Sequence, residues 1–504
     1  MTRTSQTFSL SDLIHSDRSR VIIETAKKVA VMGLKQASGN SFAIKSSVMG
    51  ILYLAPFNHD TKHVAAYGLV LSTLDYCVFT IVSPIFGVTF GTPTKYKLFL
   101  QETDEAEKEI RRIELVSIFK NGFHYAIFGT IAFLPLFFSG SLLKNIFNID
   151  SEIADITQSI LRPLSFSVPF IMIGTAARIA VRACGKANIF LYGSAILVTN
   201  LLLARAFEFG AFGWPGLGIS AFLFFYIFEA IQSCLLYCSY LFFHKDLSAL
   251  KLLHSFLHPD ASHPVSFFDF LKTGASPFIQ AVSDLGFWFL MTVMASQFGV
   301  PAQAAFALAL QPVWFNNLFN MALGISSSVN LGQSIADKTH VNLSLRDIGT
   351  AGIITTTAIG SIAPILVSCI PQLLFGVFNI QDQDVISSFN MIRFYTAMAS
   401  IADSANYPMM FQSRETGDFR YSTIAGLAGR LIGLLFSYVL AFPLQQGLLG
   451  VARGCFIGMI YAVVFSYCVW RNQINTVTDK RNAFFRERPQ AIIELVPVVI
   501  SADP

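Results

Sequence analysis

The chain lacks the residue patterns of most enzymes and nucleotide-driven motors. No GxxxxGK[ST] phosphate loop occurs, so ATP hydrolysis is not expected, and there is no HExxH zinc helix and no GxSxG nucleophile elbow. No nucleophile and base stand at a spacing that suggests covalent catalysis. Charge is scarce as well, with Asp, Glu, Lys and Arg at 13% of 504 residues, about half the share usual in soluble domains. The seven cysteines, at 77, 184, 234, 238, 369, 455 and 468, fall mostly inside apolar stretches and form no spaced framework. Cys234 and Cys238 share a helix face, but no neighbouring His or second pair completes a metal site, and both read as packing residues. Residues 1–26 lack the basic start, short apolar core and small-residue cleavage pattern of a secretory signal, so targeting is expected to use the first spans themselves.

Apolar residues are abundant: 53% of the chain is hydrophobic and 13% aromatic, with 49 Phe. Such a surface is insoluble in water, and an all-α polytopic membrane protein is expected. Apolar runs long enough to cross a roughly 30 Å hydrocarbon core recur between short polar breaks. Twelve are read, at about 29–55, 64–91, 115–139, 157–183, 187–207, 216–243, 266–298, 302–334, 347–375, 384–411, 421–443 and 447–470. The first is the least apolar, because Lys35 and Lys45 interrupt it.

Lys and Arg are retained on the cytoplasmic side of membranes. With the N-terminus inside, 25 of the 35 Lys and Arg fall on that side, among them Arg178, Arg182 and Arg414, while only Lys62, Lys144 and Arg205 fall outside. The other seven, Arg430 among them, lie within the proposed spans. Both termini are therefore expected in the cytoplasm of a cell whose plasma or inner membrane holds the chain. The net charge of +4 is orienting loop charge, and no nucleic-acid partner is expected.

The longest internal break, 244–264, divides the chain. The expected organisation is a cytoplasmic segment 1–26, a six-helix lobe 27–243, a cytoplasmic linker 244–264, a second six-helix lobe 265–471 and a cytoplasmic tail 472–504. An internal repeat at an offset of about 232 to 241 residues relates the lobes: Gly87 and Gly91 to Gly324 and Gly332, the run around Gly185 to that around Gly417, and Gly213 and Gly216 to Gly447 and Gly450. Six spans per half is an even number, so the copies share an orientation, with pseudo-twofold symmetry about an axis near the membrane normal and a cavity between them.

The run 276–338 resembles spans seven and eight of multidrug and toxic compound extrusion (MATE) antiporters, through Pro277, Phe298-Gly299, Ala304-Ala305, Gly324-Ile325 and Gly332-Gln333. The stretches at Gly185-Lys186 and Gly417-Asp418 resemble that family's segments after spans four and ten, and the resemblance covers most of residues 26–471. It implies a secondary transporter, not an enzyme, that works by alternating access.

Ionisable residues within a membrane are costly and are read first as functional. Asp284 lies in span seven on a face with Gln280 and Trp288, and Asp403 in span ten with Tyr395, Asn406 and Tyr407. In NorM-type members of the family a Glu in span seven and an Asp in span ten form a cation site. Asp284 stands 15 residues before Gly299 and Asp403 15 before Asp418, matching the family spacing, with Asp for Glu in span seven. By that resemblance the pair would bind the coupling ion, H⁺ or Na⁺, the only metal expected, with no other cofactor. The competing reading is that each Asp only hydrogen-bonds between packed helices; Asp75, Glu208 and Glu229 are read that way, with Glu208 and Arg205 at an aqueous end.

Span eight adds Gln311, Asn316, Asn317 and Asn320. Asn316 and Asn320 share a face and either line the path of ion or substrate or bond between helices. The family commonly carries an Asp in span one, and this chain has none; Lys45 falls near its place, with Lys35 closer to the cytoplasm. Either the lysines snorkel to an interface, or one faces the cavity and favours an anionic or zwitterionic substrate. The expected function is a cation-coupled antiporter expelling a small amphipathic organic solute, embedded in a lipid bilayer and working as a monomer, since a two-lobe cavity needs one chain. A flippase for a lipid-linked molecule and a non-transporting membrane regulator of the same fold are the rivals.

Overall fold

The computed structural model describes residues 17–38, 62–63, 65–66, 69–70, 73, 83–85, 92–102, 104–131, 139–184, 186, 188–208, 210, 216–217, 219–257, 266–335, 344–378, 380–416 and 419–487. The expectations for Lys45, Asp75, Gly87, Gly91, Gly185, Gly213, Gly417 and Asp418 lie outside the described residues. Among those residues the chain is helical, with no strand. The first part holds α1 (Asp17–Ser38), α2 (Thr92–Gln101), α3 (Glu105–Ile131), α4 (Ser139–Phe147), α5 (Ser151–Leu164), α6 (Val168–Ala183), α7 (Ile189–Glu208), α8 (Ile219–Phe243) and α9 (Leu252–Leu257). Then follow α10 (Phe267–Ser296), α11 (Val300–Ile335), α12 (Leu345–Gly360), α13 (Ile362–Cys369), α14 (Pro371–Val377), α15 (Gln383–Glu415), α16 (Phe419–Ala441) and α17 (Gly447–Glu487).

Helix starts follow local chemistry. Asp150 accepts from the backbone N–H of Glu152 and Ile153 at the head of α5, Asp382 does the same for Asp384 and Val385 at α15, and Ser266 and Ser344 accept from the third residue beyond them at α10 and α12. Interruptions have local causes too. Pro163 and the Pro169 that opens α6 flank a 3₁₀ turn, Ser165–Ser167, that joins α5 to α6.

Among the described residues, seven helical stretches are long and apolar enough to cross a membrane: Ser151–Ala183, Ile189–Glu208, Leu223–Phe243, Phe267–Ser296, Leu345–Cys369, Arg420–Ala441 and Gly447–Lys480. The 36-residue α11 and the 33-residue α15 are as long but less apolar. The reason is the polar set on which the functional expectation rests, Gln311, Asn316, Asn317 and Asn320 on α11 and Asp403 and Asn406 on α15. All six are buried, so these helices are sheathed by others and need no apolar surface of their own.

Close backbone approach, not bulk burial, sets the tightest seam. On α16 the residues Gly429, Gly433, Ser437 and Ala441 recur every four positions; on α17 Gly450, Gly454, Gly458 and Ala462 do the same. The two stripes run antiparallel in register: a Cβ on Gly429 would lie 2.5 Å from the Ala462 nitrogen, one on Gly433 3.0 Å from Gly458 Cα, and one on Gly450 2.5 Å from the Ala441 nitrogen. In lipid there is no hydrophobic drive to pair helices, and stripes of small residues supply van der Waals contact in its place. Ser437 Oγ also donates to the Val451 carbonyl at 3.0 Å.

Early and late parts of the chain also meet. Gly33 of α1 packs directly on Leu323 of α11, Gly274 of α10 on Pro84, and Gln303 of α11 donates to the Ala65 carbonyl at 3.3 Å. Gln412 of α15 ties three more helices, donating to Ser327 Oγ on α11 (2.5 Å) and the Gly349 carbonyl on α12 (3.0 Å) and accepting from Trp470 Nε1 on α17 (2.6 Å).

The α16–α17 seam gives a direct test. Gly454→Leu drives a side chain into the Ser437 backbone, and a loss of at least about 1–3 kcal/mol is expected, read as a lower melting temperature in detergent. Gly376→Ala, where nothing lies within 4 Å, is expected to leave melting unchanged or slightly raised.

Candidate functional site

The two aspartates singled out by sequence come together, and a third residue from another helix joins them. Arg430, on α16, is 1% exposed, and its Nε stands 2.6 Å from Asp284 Oδ1 on α10 while its Nη2 stands 3.5 Å from Asp403 Oδ1 on α15. Gly426, one turn before Arg430, keeps the helix surface bare there, and Arg430 Nη1 donates to the Gly426 carbonyl at 3.2 Å. The Asp284 and Asp403 oxygens nearest the guanidinium have no hydrogen bond aligned with it, so the contacts are charge to charge. Three spans that share no local sequence are thus held by one cation.

Gln280, one turn from Asp284, bonds to the end of α15: its carbonyl accepts from Arg414 Nη2, and its amide nitrogen contacts Met410 Sδ. Arg414, counted from sequence among the cytoplasmic loop charges, is instead buried at the end of α15, with its guanidinium 5.8 Å from the Phe411 ring centroid. Arg178 is likewise buried, not in a loop. α15 continues past the expected break at 411 to Glu415, while Arg178 lies within α6, and both arginines face protein.

Asn406 is 1% exposed, and its Oδ1 has no hydrogen-bond partner. Tyr407 packs with Ile325, Met410 and Phe411. Two other expected members belong to packing. Trp288 lies in the apolar core, edge-on to Phe287 at 5.3 Å, and Tyr395 lies under the Arg453 guanidinium at 5.3 Å. Lys35 is exposed on α1.

The polar residues of α11 divide. Asn316 bonds across to α15, donating to Ser400 Oγ at 3.0 Å and Ser404 Oγ at 2.7 Å; Gln311 bonds within its own helix, to the Ala307 carbonyl. Asn320 is fully buried, with neither amide atom paired. Elsewhere, Glu208 is buried and pairs with half-exposed Arg205 at 3.2 Å. Glu229 accepts from Ser233 Oγ at 2.6 Å and lines a cavity of about 30 Å³ with Arg178 and Tyr237.

Arg430 lies within ion-pair reach of both carboxylates, and among the described residues no group of three His, Cys, Asp or Glu side chains is placed to hold a metal ion.

No family model matches the chain. It is 24% identical over 339 residues to a probable multidrug resistance protein NorM of Agrobacterium fabrum, covering 66% of this chain and 71% of that protein. Its fold matches the crystal structure of the eukaryotic MATE transporter AtDTX14 with a TM-score of 0.72 at 12% identity, covering 92% of this chain and all of the other. An inward-facing multidrug resistance MATE family transporter of the MOP superfamily matches with a TM-score of 0.66 at 16% identity, over 90% of this chain and 99% of the other. The chain is an all-α polytopic membrane protein with the fold of MATE transporters.

Removing Arg430 strands two buried carboxylates, which typically costs about 3–5 kcal/mol. Arg430→Leu is expected to lower the melting temperature sharply, and Asp284→Asn added in the same chain to recover part of the loss; the two melts in one detergent check both.

Proposed function

We propose that the chain is a MATE-family antiporter, NorM-like in its second-half acidic residues, that exports a small amphipathic organic solute in exchange for an entering cation. In this reading twelve spans form two six-helix lobes, 27–243 and 265–471, joined by the 244–264 linker, with both termini cytoplasmic and a cavity between the lobes. A single chain suffices.

The observation that carries the reading is the Asp284–Arg430–Asp403 cluster. A carboxylate at membrane depth has to be paired or neutralised. Arg430 pairs both aspartates, closely with Asp284 and more loosely with Asp403. A proton arriving at Asp403 removes that residue's hold on the guanidinium, leaving Arg430 with Asp284 alone. The tie between α16 and α15 then slackens while the tie between α16 and α10 persists. A cation thereby changes which helices are held together, as alternating access requires. Loss of the proton on the other side restores the original set. Sodium at the same point would have to displace the guanidinium, so no step is assigned to it there.

The cluster also bears on the rival readings. A lipid-linked anionic substrate calls for a basic cavity, whereas Arg430 is offset here by two carboxylates. The likeness of the fold to transporters favours transport over a non-transporting regulator.

The test is flux in proteoliposomes under a pH gradient and a Na⁺ gradient imposed separately, with cationic and anionic dyes as probes. Asp284→Asn and Asp403→Asn are each expected to cut pH-driven dye transport by roughly tenfold or more with the fold intact by size-exclusion. Wild-type flux in both variants would sink the proposal.

A further inference from the structure

Helix α1 is buried along one side only. Val21, Thr25, Val29 and Gly33, each one turn from the next, face inward. Gly33 packs on Leu323 of α11, and Val21 joins the cluster formed by Leu331 of α11 and Leu345 and Ile348 of α12. The outward side, from Arg20 to Lys35, is exposed. At about 100° per residue its members fall on an arc of roughly 140°. Ile23 and Leu34 lie along one edge, Lys28 and Lys35 along the other, and Arg20, Glu24, Lys27 and Val31 between them.

That mixture suits neither bulk water nor hydrocarbon. Ile23, Val31 and Leu34 are 42%, 56% and 46% exposed, an apolar surface that water disfavours. Ionisable residues at 20, 24, 27, 28 and 35 put charge on nearly every turn of the same face, and charge in the hydrocarbon interior is costly. The boundary between the two satisfies both, with the apolar edge sunk among acyl chains and the basic edge among headgroups. The cations of this face also lack counter-charges in the protein. Among the described residues Arg20, Lys27 and Lys28 form no ion pair. On α3, by contrast, Lys108, Arg111 and Arg112 pair with Glu105, Glu107 and Glu109 on the same helix, and Glu114 pairs with Lys95 of α2. The outward face of α1 has four cations and one carboxylate, so its neutralising charge has to come from outside the chain.

We propose that this face of α1 binds the headgroups of anionic phospholipids, with Arg20, Lys27 and Lys28 on lipid phosphates and Ile23, Val31 and Leu34 against the adjoining acyl chains. Charge complementarity selects the occupant: a zwitterionic headgroup brings its own cation, and an anionic one does not. Lys35, on the same edge as Lys28, then belongs to the bilayer interface and not to a substrate cavity. Because the inward stripe packs on α11 and α12, lipid held on α1 braces those helices at the membrane surface. The site does not rest on the antiporter reading, since it uses neither the Asp284–Arg430–Asp403 cluster nor any transport step.

The experiment titrates full-length protein, stripped of lipid in a neutral detergent, with phosphatidylglycerol, phosphatidylcholine or inorganic phosphate while the melting temperature is followed. Wild-type protein is expected to melt higher with phosphatidylglycerol than with either other addition, and the difference to shrink in high salt. Lys27→Gln/Lys28→Gln is expected to need roughly thirtyfold more phosphatidylglycerol for half the rise while melting as wild type does in phosphatidylcholine. Arg20→Gln, expected to need roughly fivefold more, serves if the double variant fails to fold. A second measurement locates the face: in phosphatidylglycerol–phosphatidylcholine nanodiscs, Val31→Trp is expected to add fluorescence that phospholipid brominated near its headgroup quenches. Equal rises with the two lipids, a rise with inorganic phosphate as large as that with phosphatidylglycerol, or an unchanged lipid requirement in the variants would overturn the proposal. So would added fluorescence quenched by aqueous iodide and not by the brominated lipid, the result for a face that lines a water-filled cavity.

Discussion

A hydrocarbon interior has no water to shield a charge, and that constraint makes Arg430, Asp284 and Asp403 depend on one another. None of the three is stable at its depth alone, because the penalty for an unpaired buried charge exceeds what packing at one residue returns. Together they convert three helices, α10, α15 and α16, into one electrostatic unit. The contacts are unequal in length, so the unit has a firm side and a yielding side. A change of charge at the yielding side can then alter helix packing.

The rest of the second half is arranged to hold Arg430 where it is. Gly429 and Gly433 turn one side of α16 into a groove for α17, and the same helix presents Arg430 between them on another side, toward α10 and α15. Gly426 clears the space the guanidinium needs. On α15 the burial of Asp403 is shared with Asn316, Ser400 and Ser404, whose hydrogen bonds fix α15 against α11. Farther along, Gln412 locks α15 to α11, α12 and α17 with every polar atom of its amide engaged. A satisfied network at Gln412 and an unpaired amide at Asn320 lie on the same pair of helices.

Much of this was legible in the sequence. Composition alone required an all-helical membrane protein, and the rule that intramembrane carboxylates need partners picked out Asp284 and Asp403. It did not reveal which partner. Periodicity orders residues around one helix and is silent about which helix faces which, so Arg430 appeared only as one of seven basic residues inside spans. The membrane rule applied to it equally, and an arginine in an apolar helix with no carboxylate of its own was the available signal. Tyr395 stands eight residues from Asp403, about 80° off a whole number of turns and about 12 Å along the axis, and its ring meets Arg453 instead. Trp288 does lie one turn from Asp284, yet a large apolar ring gains more from Phe287 and the core than from a carboxylate. Arg414 lies outside the loop expected for it because α15 runs on past the apolar run that defines its span.

In the proposed cycle a cation neutralising Asp403 exchanges places with Arg430 as that residue's counter-charge. Infrared difference spectroscopy on reconstituted protein, acid minus alkaline, measures it most directly, because a protonated carboxyl in a membrane interior has its own carbonyl stretch. Such a band is expected in wild type, with its loss in Asp403→Asn and a concurrent change in the guanidinium modes that Arg430→Lys removes. A carboxyl band that persists in Asp403→Asn and Asp284→Asn alike, or an Asp403 band with unchanged guanidinium modes, would contradict it.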